Sequence, residues 1–383
     1  MKQWLVAWWA CLGLVVAVAQ PLQPPEVAAK SFVLVEIGSG QLLAERQADA
    51  RVDPASLTKL MTAWLVFDAL RQHKLALDQP LAVSERAWAE RKGGGSLMFI
   101  DTTMKPKVDE LIKGMVVVSG NDAAVALAEG VSGSLQQFVA AMNRQAQAWG
   151  LTNTQFMNVT GLTEAGHYSS ARDLAVMAGH LLRDFPEHYA SYYSQKQYAF
   201  NNIRQDNRNM LLGRDPSVDG MKTGYTDAAG YCLVASAQRD FPNGTRRMLS
   251  VVLGTASREA RATESQKLLN WGFLAWDAVR LFEPGKAAVS VPVWKGRAAL
   301  AQLGVPGGVV VSVPRGDAAK IKTSIERSDP LVAPLAKGQR VGSLKVNGPT
   351  GTLLATIPLQ VLEPVEQAGL LGRAWDSIRL WIK

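Results

Sequence analysis

The sequence predicts an α+β domain, an antiparallel sheet joined to a helical lobe, followed by a small all-β domain and a terminal amphipathic helix. Three observations carry this. Strand-like runs stand at both ends of residues 31–281, with helical patterns between them. Past Gly285 the chain turns to short Val-rich runs broken by Gly and Pro. From Leu370 the apolar residues fall on one helical face. The chain has 383 residues, 48% hydrophobic and 19% charged, which supplies ample core and argues against disorder.

Lys2, the apolar run Trp4 to Val18, and the small-x-small step Ala17-Val18-Ala19 predict a cleaved secretory signal peptide over residues 1–19. The run is short for a membrane span, which needs roughly 20 residues; an uncleaved anchor is the alternative. Cys11 lies inside this run, so the exported chain keeps Cys232 alone, expected as a buried small hydrophobe with no intrachain disulfide. Residues 20–30 form a Pro-rich linker. Ser31 to Ile37 and Gln41 to Glu45, joined by Gly38-Ser39-Gly40, predict a hairpin. Pro54 then opens a helix through Leu57, Leu60, Met61, Trp64, Leu65 and Leu70. Further helices are expected at Val108 to Val118, Asp122 to Glu129, Leu135 to Trp149 and Ala171 to Arg183. Strands follow at Tyr231 to Ala237 and Met248 to Leu253, then a helix at Arg261 to Leu281, closing a domain over residues 31–284.

Residues 285–363 form the all-β domain, with strands expected at Ala288 to Trp294, Gly308 to Val313 and Leu353 to Leu362. It has no His or Cys, so neither a catalytic nor a metal site is expected there. Residues 364–383 hold the terminal helix. Leu371, Ala374, Trp375, Ile378, Trp381 and Ile382 share one face, while Arg373, Asp376, Arg379 and Lys383 lie away from it. Two Trp and three basic residues suit a membrane interface; packing on its own domain is the alternative. Overall, 41 basic against 33 acidic residues give a charge of +8, spread along the chain. No Lys/Arg block marks a nucleic-acid partner, whereas an anionic membrane or polymer suits the excess.

Ser56-Leu57-Thr58-Lys59 sets a hydroxyl and an amine about one helical turn apart. Such a lysine can take the serine proton only if burial or nearby positive charge lowers its pKa. Ser119-Gly120-Asn121 lies in a break between helices, where a hydroxyl and an amide can share protons and hold a substrate amide. Lys222-Thr223-Gly224 places a cation and a hydroxyl where a carboxylate could bind, with Gly allowing close backbone approach. Each tripeptide or tetrapeptide alone reads equally as a helix start, a capped turn or a β-turn. The order S-x-x-K, S-x-N, K-T-G at 56, 119 and 222 removes that ambiguity.

This ordered set resembles that of penicillin-binding proteins and serine β-lactamases. The segments Pro54–Thr62, Val117–Ala123, Gly166–Asp173 and Val218–Gly224 look like low-molecular-mass D-alanyl-D-alanine carboxypeptidases. The resemblance is clear over residues 30–281 and implies a β-lactamase/transpeptidase-like fold. By the same resemblance, Ser56 attacks the carbonyl between two terminal D-alanines and Lys59 is the general base. Ser119 and Lys222 pass protons to the leaving D-alanine, Asn121 holds the peptide amide, and the N–H groups of Ser56 and Tyr225 form an oxyanion hole. Thr223 and Arg261 bind the terminal carboxylate beside Gly224; nearby Arg258 could replace Arg261. Tyr225 departs from relatives that carry His, which bears on substrate preference.

The implied partners are peptidoglycan stem peptides and β-lactams, with no cofactor or metal, at the periplasmic face of the bacterial inner membrane. Rival readings are a DD-endopeptidase, a β-lactamase and a non-catalytic penicillin-binding scaffold. For the lactamase, Glu164 lacks a following Asn, since Tyr168 stands there, and it is expected as a solvated loop residue. Ser-His-Asp catalysis through His73, His167, His180 or His188 lacks a G-x-S-x-G elbow. Metal hydrolysis lacks H-E-x-x-H.

Overall fold

A computed structural model describes residues 23–241 and 244–382; the signal peptide predicted over residues 1–19 lies outside the described residues. Strands β1 (Ser31–Glu36) and β2 (Gln41–Arg46) form the expected hairpin. A 3₁₀ turn (Ala55–Thr58) runs into α1 (Lys59–Arg71). The lobe continues with α2 (Glu85–Ala89), α3 (Val108–Val116), α4 (Asn121–Ser132), α5 (Leu135–Ala148), α6 (Ala171–Asp184) and α7 (Pro186–Tyr192). A short hairpin, β3 (Gln197–Phe200) and β4 (Ile203–Asp206), and α8 (Leu211–Arg214) precede β5 (Val218–Thr226), β6 (Gly230–Phe241), β7 (Gly244–Thr255) and α9 (Arg258–Ala275).

The main sheet is antiparallel in the order β2-β1-β7-β6-β5. Successive side chains alternate faces, and both faces of its central strands are covered. Val33, Val234 and Val251 pack on the helical lobe. Phe32, Leu34, Leu233 and Val252 pack against Leu268, Leu269 and Phe273 of α9. Burial on both sides explains why these strands read as continuous apolar runs. Each fully buried Leu or Phe contributes roughly 1.5–3 kcal/mol. The order leaves β5 as an edge, with alternate backbone groups free of a second strand.

One element differs from the expectation. The helix predicted over Arg261 to Leu281 is α9, ending at Ala275, and Trp276–Phe282 is strand β8. Tertiary partners end the helix: the Arg315 N–H donates to the Ala275 carbonyl at 2.9 Å and Arg246 to the Trp276 carbonyl at 2.9 Å. Residues 276–282, grouped with the first domain on sequence, therefore hydrogen-bond with the second.

That second unit adds β9 (Ala287–Trp294), β10 (Leu300–Gly304), β11 (Val309–Pro314), β12 (Lys322–Arg327), β13 (Leu331–Val332), β14 (Arg340–Asn347) and β15 (Leu353–Val361). Six strands lie in the order β12-β14-β15-β10-β9-β13, while β11 pairs with β8. Leu303, Val311, Leu344, Val346 and Leu359 fill its core. Gln41 ties the two units: its amide accepts from Ser312 N at 2.7 Å and donates to Ser312 O at 2.8 Å. Helix α10 (Leu370–Ile382) ends the described chain. No helix among the described residues is long and apolar enough to cross a membrane.

Candidate active site

In a 3₁₀ turn, residues i and i+3 eclipse each other. The turn Ala55–Thr58 therefore brings the side chains of Ser56 and Lys59 into line, and Lys59 Nζ lies 3.0 Å from Ser56 Oγ. Just before the serine, Ala55 holds a left-handed φ of 47°, a strained conformation for a residue with a Cβ. Lys59 is 1% exposed. Its amine also donates to Asn121 Oδ1 at 2.7 Å and to the Thr160 carbonyl at 2.8 Å. No carboxylate among the described residues touches it. Burial, aided by the charge of Arg208 and opposed by Glu90 and Asp122, lowers its pKa to about 7. A neutral amine keeps two N–H donors for Asn121 and Thr160 and turns its lone pair toward Ser56.

Ser119 sits between α3 and α4 with φ of 64°, the second strained residue of the cluster. Its Oγ accepts from Lys222 Nζ at 2.8 Å, and Lys222 also donates to the Thr223 carbonyl at 3.0 Å. Burial, with Lys59, Arg208 and Arg261 nearby, holds Lys222 well below the usual lysine range. The start of α4 is fixed by Asp122, whose buried carboxylate accepts N–H bonds from Met98, Phe99, Ile100 and Ala123. This straps residues 95–100 across the helix N-terminus. A Cβ on Gly95 would lie 2.2 Å from the Asn121 amide nitrogen, so any larger residue there would displace that side chain.

Strand β5 closes the other wall. Gly224 runs against the Ala55–Thr58 turn, where a Cβ would meet Ala55 Cβ at 3.1 Å and the Pro54 carbonyl at 3.2 Å. Arg261 donates to the Gly224 carbonyl at 3.0 Å, and burial lowers its pKa to about 10. A cavity of about 290 Å³ opens between these elements, lined by Ser56, Ser119, Asn121, Thr223, Gly224, Tyr225 and Arg261. Lys59 and Lys222 lie behind the lining, each bonded to a lining serine. The nine residues singled out on sequence thus converge from four distant stretches of chain. Arg258 lines the same cavity as Arg261.

The family profile described as D-alanyl-D-alanine carboxypeptidase matches residues 17–257, and that of the penicillin-binding protein 5 C-terminal domain matches residues 276–367. The chain is 42% identical over 371 residues to D-alanyl-D-alanine carboxypeptidase DacC of Escherichia coli, covering 95% of this chain and 91% of that relative. It belongs to the D-alanyl-D-alanine carboxypeptidase family. The crystal structure of penicillin binding protein 5 from Haemophilus influenzae superposes with a TM-score of 0.82 at 40% identity, covering 90% of this chain and all of that one. Penicillin-binding protein D2 of Listeria monocytogenes, solved in an ampicillin-bound form, matches at 32% identity and a TM-score of 0.58, covering 66% of this chain and all of that one.

Several groups of this family member's site escaped sequence reasoning, although His167 is expected in a loop at the edge of the site. The loop 158–167 wraps the Ala55–Thr58 turn through the Thr160 carbonyl on Lys59, through Gly161, and through His167. A Cβ at Gly161, where φ is 86°, would fall 1.7 Å from the Ala55 carbonyl oxygen. His167 lies 2.8 Å through Nε2 from Thr58 Oγ1, while its Nδ1 accepts the Met157 N–H at 3.0 Å. Nδ1 is thus the acceptor nitrogen, and burial lowers the imidazole pKa to about 4. Asn158 organises the loop by accepting from the Gly161 N–H at 2.7 Å and the Thr160 N–H at 3.2 Å. Arg208 spans the cleft end, donating to Ser96 Oγ and to the Val118 carbonyl at 3.0 Å. For its first half the Asn158-Val159-Thr160-Gly161 turn was an available signal, since Asn and Gly favour such loops. The other histidines lie elsewhere: His180 stacks on Trp149 at 4.0 Å and His188 on Phe67 at 4.8 Å. Glu164 is exposed and accepts from Asn158 at 2.9 Å, outside the cavity that Ser56 lines.

Proposed function

We propose that Ser56 carries this family's D-alanyl-D-alanine carboxypeptidase reaction, removing the terminal D-alanine of peptidoglycan pentapeptides through an acyl-enzyme, and that penicillin acylates the same oxygen. The observation that carries this is the 3.0 Å contact of Ser56 Oγ with a buried lysine that no carboxylate among the described residues touches. Neutral Lys59 takes the Ser56 proton as Oγ adds to the carbonyl carbon. The negative oxygen is held by the N–H groups of Ser56 and Tyr225. Asn121 holds the peptide amide, and Thr223 with Arg261 holds the terminal carboxylate. The proton reaches the leaving nitrogen through Ser119 and Lys222, the C–N bond breaks, and D-alanine departs. Water then cleaves the ester and restores Ser56.

The same reading places the enzyme at the periplasmic face of the inner membrane, exported by residues 1–19 and held by α10. What supports the anchor is polarity. Asp376 accepts from Lys295 N at 2.6 Å and Arg379 lies over Trp294, so the polar side meets the β-domain. Leu371 and Trp381 are 89% and 88% exposed. An apolar face turned outward suits an acyl-chain boundary.

The test is mass spectrometry of the purified protein after incubation with penicillin and, separately, with a D-Ala-D-Ala pentapeptide. A lasting adduct on Ser56 and release of one alanine are expected. Rapid penicillin turnover would favour a β-lactamase, and unchanged activity in Ser56→Ala would remove the nucleophile assignment.

A further inference from the structure

The rim of the cavity beside the arginines carries a rigid aromatic pair that the reaction chemistry leaves unused. Tyr225 and Tyr231 are direct cross-strand partners on β5 and β6, and their rings lie 4.3 Å apart between centroids. Tyr225 is 48% exposed, yet its hydroxyl donates to Asp227 Oδ1 at 2.8 Å. Asp227 stands two residues on, near the start of the β5–β6 turn. The Arg261 guanidinium lies 5.7 Å from the Tyr231 ring centroid. All of Tyr225, Tyr231, Arg258 and Arg261 line the one cavity that Ser56 opens into.

A tyrosine has two side-chain torsions. Here the cross-strand ring and the Asp227 carboxylate restrain them, so a ligand covering this ring loses little conformational entropy in doing so. The exposed ring face is apolar surface that stays wet until something lies on it. Its neighbours are guanidinium groups suited to a carboxylate. The group best matched to both is one that carries a carboxylate on a small apolar body.

We infer that the Tyr225 side chain, paired with Tyr231 and pinned by Asp227, is a specificity-determining wall against which the carboxylate-bearing residue or ring of the ligand packs. This rests on the acyl-enzyme reading of Ser56, and adds the side chain of Tyr225 to the backbone role already proposed. In a stem peptide the packed group is the leaving D-alanine. In a penicillin it is the fused five-membered ring, which a monocyclic β-lactam lacks. The wall therefore discriminates between the two inhibitor classes.

The experiment compares Ser56 acylation rates with benzylpenicillin and with a monocyclic β-lactam, in the wild type, Tyr225→Ala and Tyr225→Phe. The ratio of the two rates is expected to fall about tenfold in Tyr225→Ala, the scale of one aromatic contact, and to recover within about twofold in Tyr225→Phe, which keeps the ring. Adducts in the wild type with an unchanged ratio in Tyr225→Ala would overturn this inference alone, as would equal slowing of both compounds. Absence of any adduct in the wild type would overturn the acyl-enzyme reading and this inference with it.

Discussion

At the scale of single residues, the decisive quantity is the protonation of Lys59. Its buried amine faces three oxygens, none of them charged. The ammonium is destabilised there while the neutral amine is well served, which is why the pKa falls to about 7. A base must be neutral to accept a proton, so penicillin acylation should rise as pH climbs through about 7 and level off above it. Stopped-flow acylation rates between roughly pH 5 and 9 check this; a flat profile would remove Lys59 as the base. Lys59→Arg, permanently charged, should lose on the order of 10²–10⁴ in rate. The pairing of Ser56 with Lys59 was readable in the sequence because three-residue spacing is local. The acceptors that hold its amine in place, Asn121 and Thr160, are 62 and 101 residues away, and no local pattern announces them.

At the scale of elements, the loop 158–167 acts as a clasp on the Ala55–Thr58 turn, with His167 as its far pin. His167 is neutral when folded, with a pKa of about 4 against an ordinary 6.5. As pH falls, the unfolded chain takes up this proton first, so stability is lost between about 6.5 and 4 and is unaffected by this group above 6.5. The loss can reach ~3 kcal/mol at about 1.4 kcal/mol per unit. Thermal midpoints of wild type and His167→Gln between about pH 4 and 8 test it. The difference between the two should shrink toward acid, and parallel curves would show that His167 is not the acid-sensitive pin. Elements with strong periodicity, such as α5, α6 and the β1–β2 hairpin, were legible in advance. The C-terminal half of the expected helix over Arg261 to Leu281 was not. Residues 276–282 become strand because Val309–Pro314 and Arg246 offer partners that lie outside any local window.

At the scale of the whole molecule, the catalytic cleft and α10 belong to different units joined in part by Gln41. The polar contacts of α10 with Lys295 and Trp294 hold it on the β-domain by its charged side. Removing residues 369–383 should therefore leave penicillin acylation intact while abolishing co-sedimentation with anionic phospholipid vesicles. Sedimentation unchanged by the deletion would defeat the anchor. The convergence of the three motifs has a practical meaning of its own. Ser119 and its partner Lys222 are 103 residues apart, and the clasp that holds Lys59 comes from yet another stretch. A chain that has collapsed without finding its register cannot assemble these groups. Covalent labelling by a fluorescent penicillin is therefore a count of correctly folded molecules, and can serve as a refolding assay in which every partly folded species stays dark.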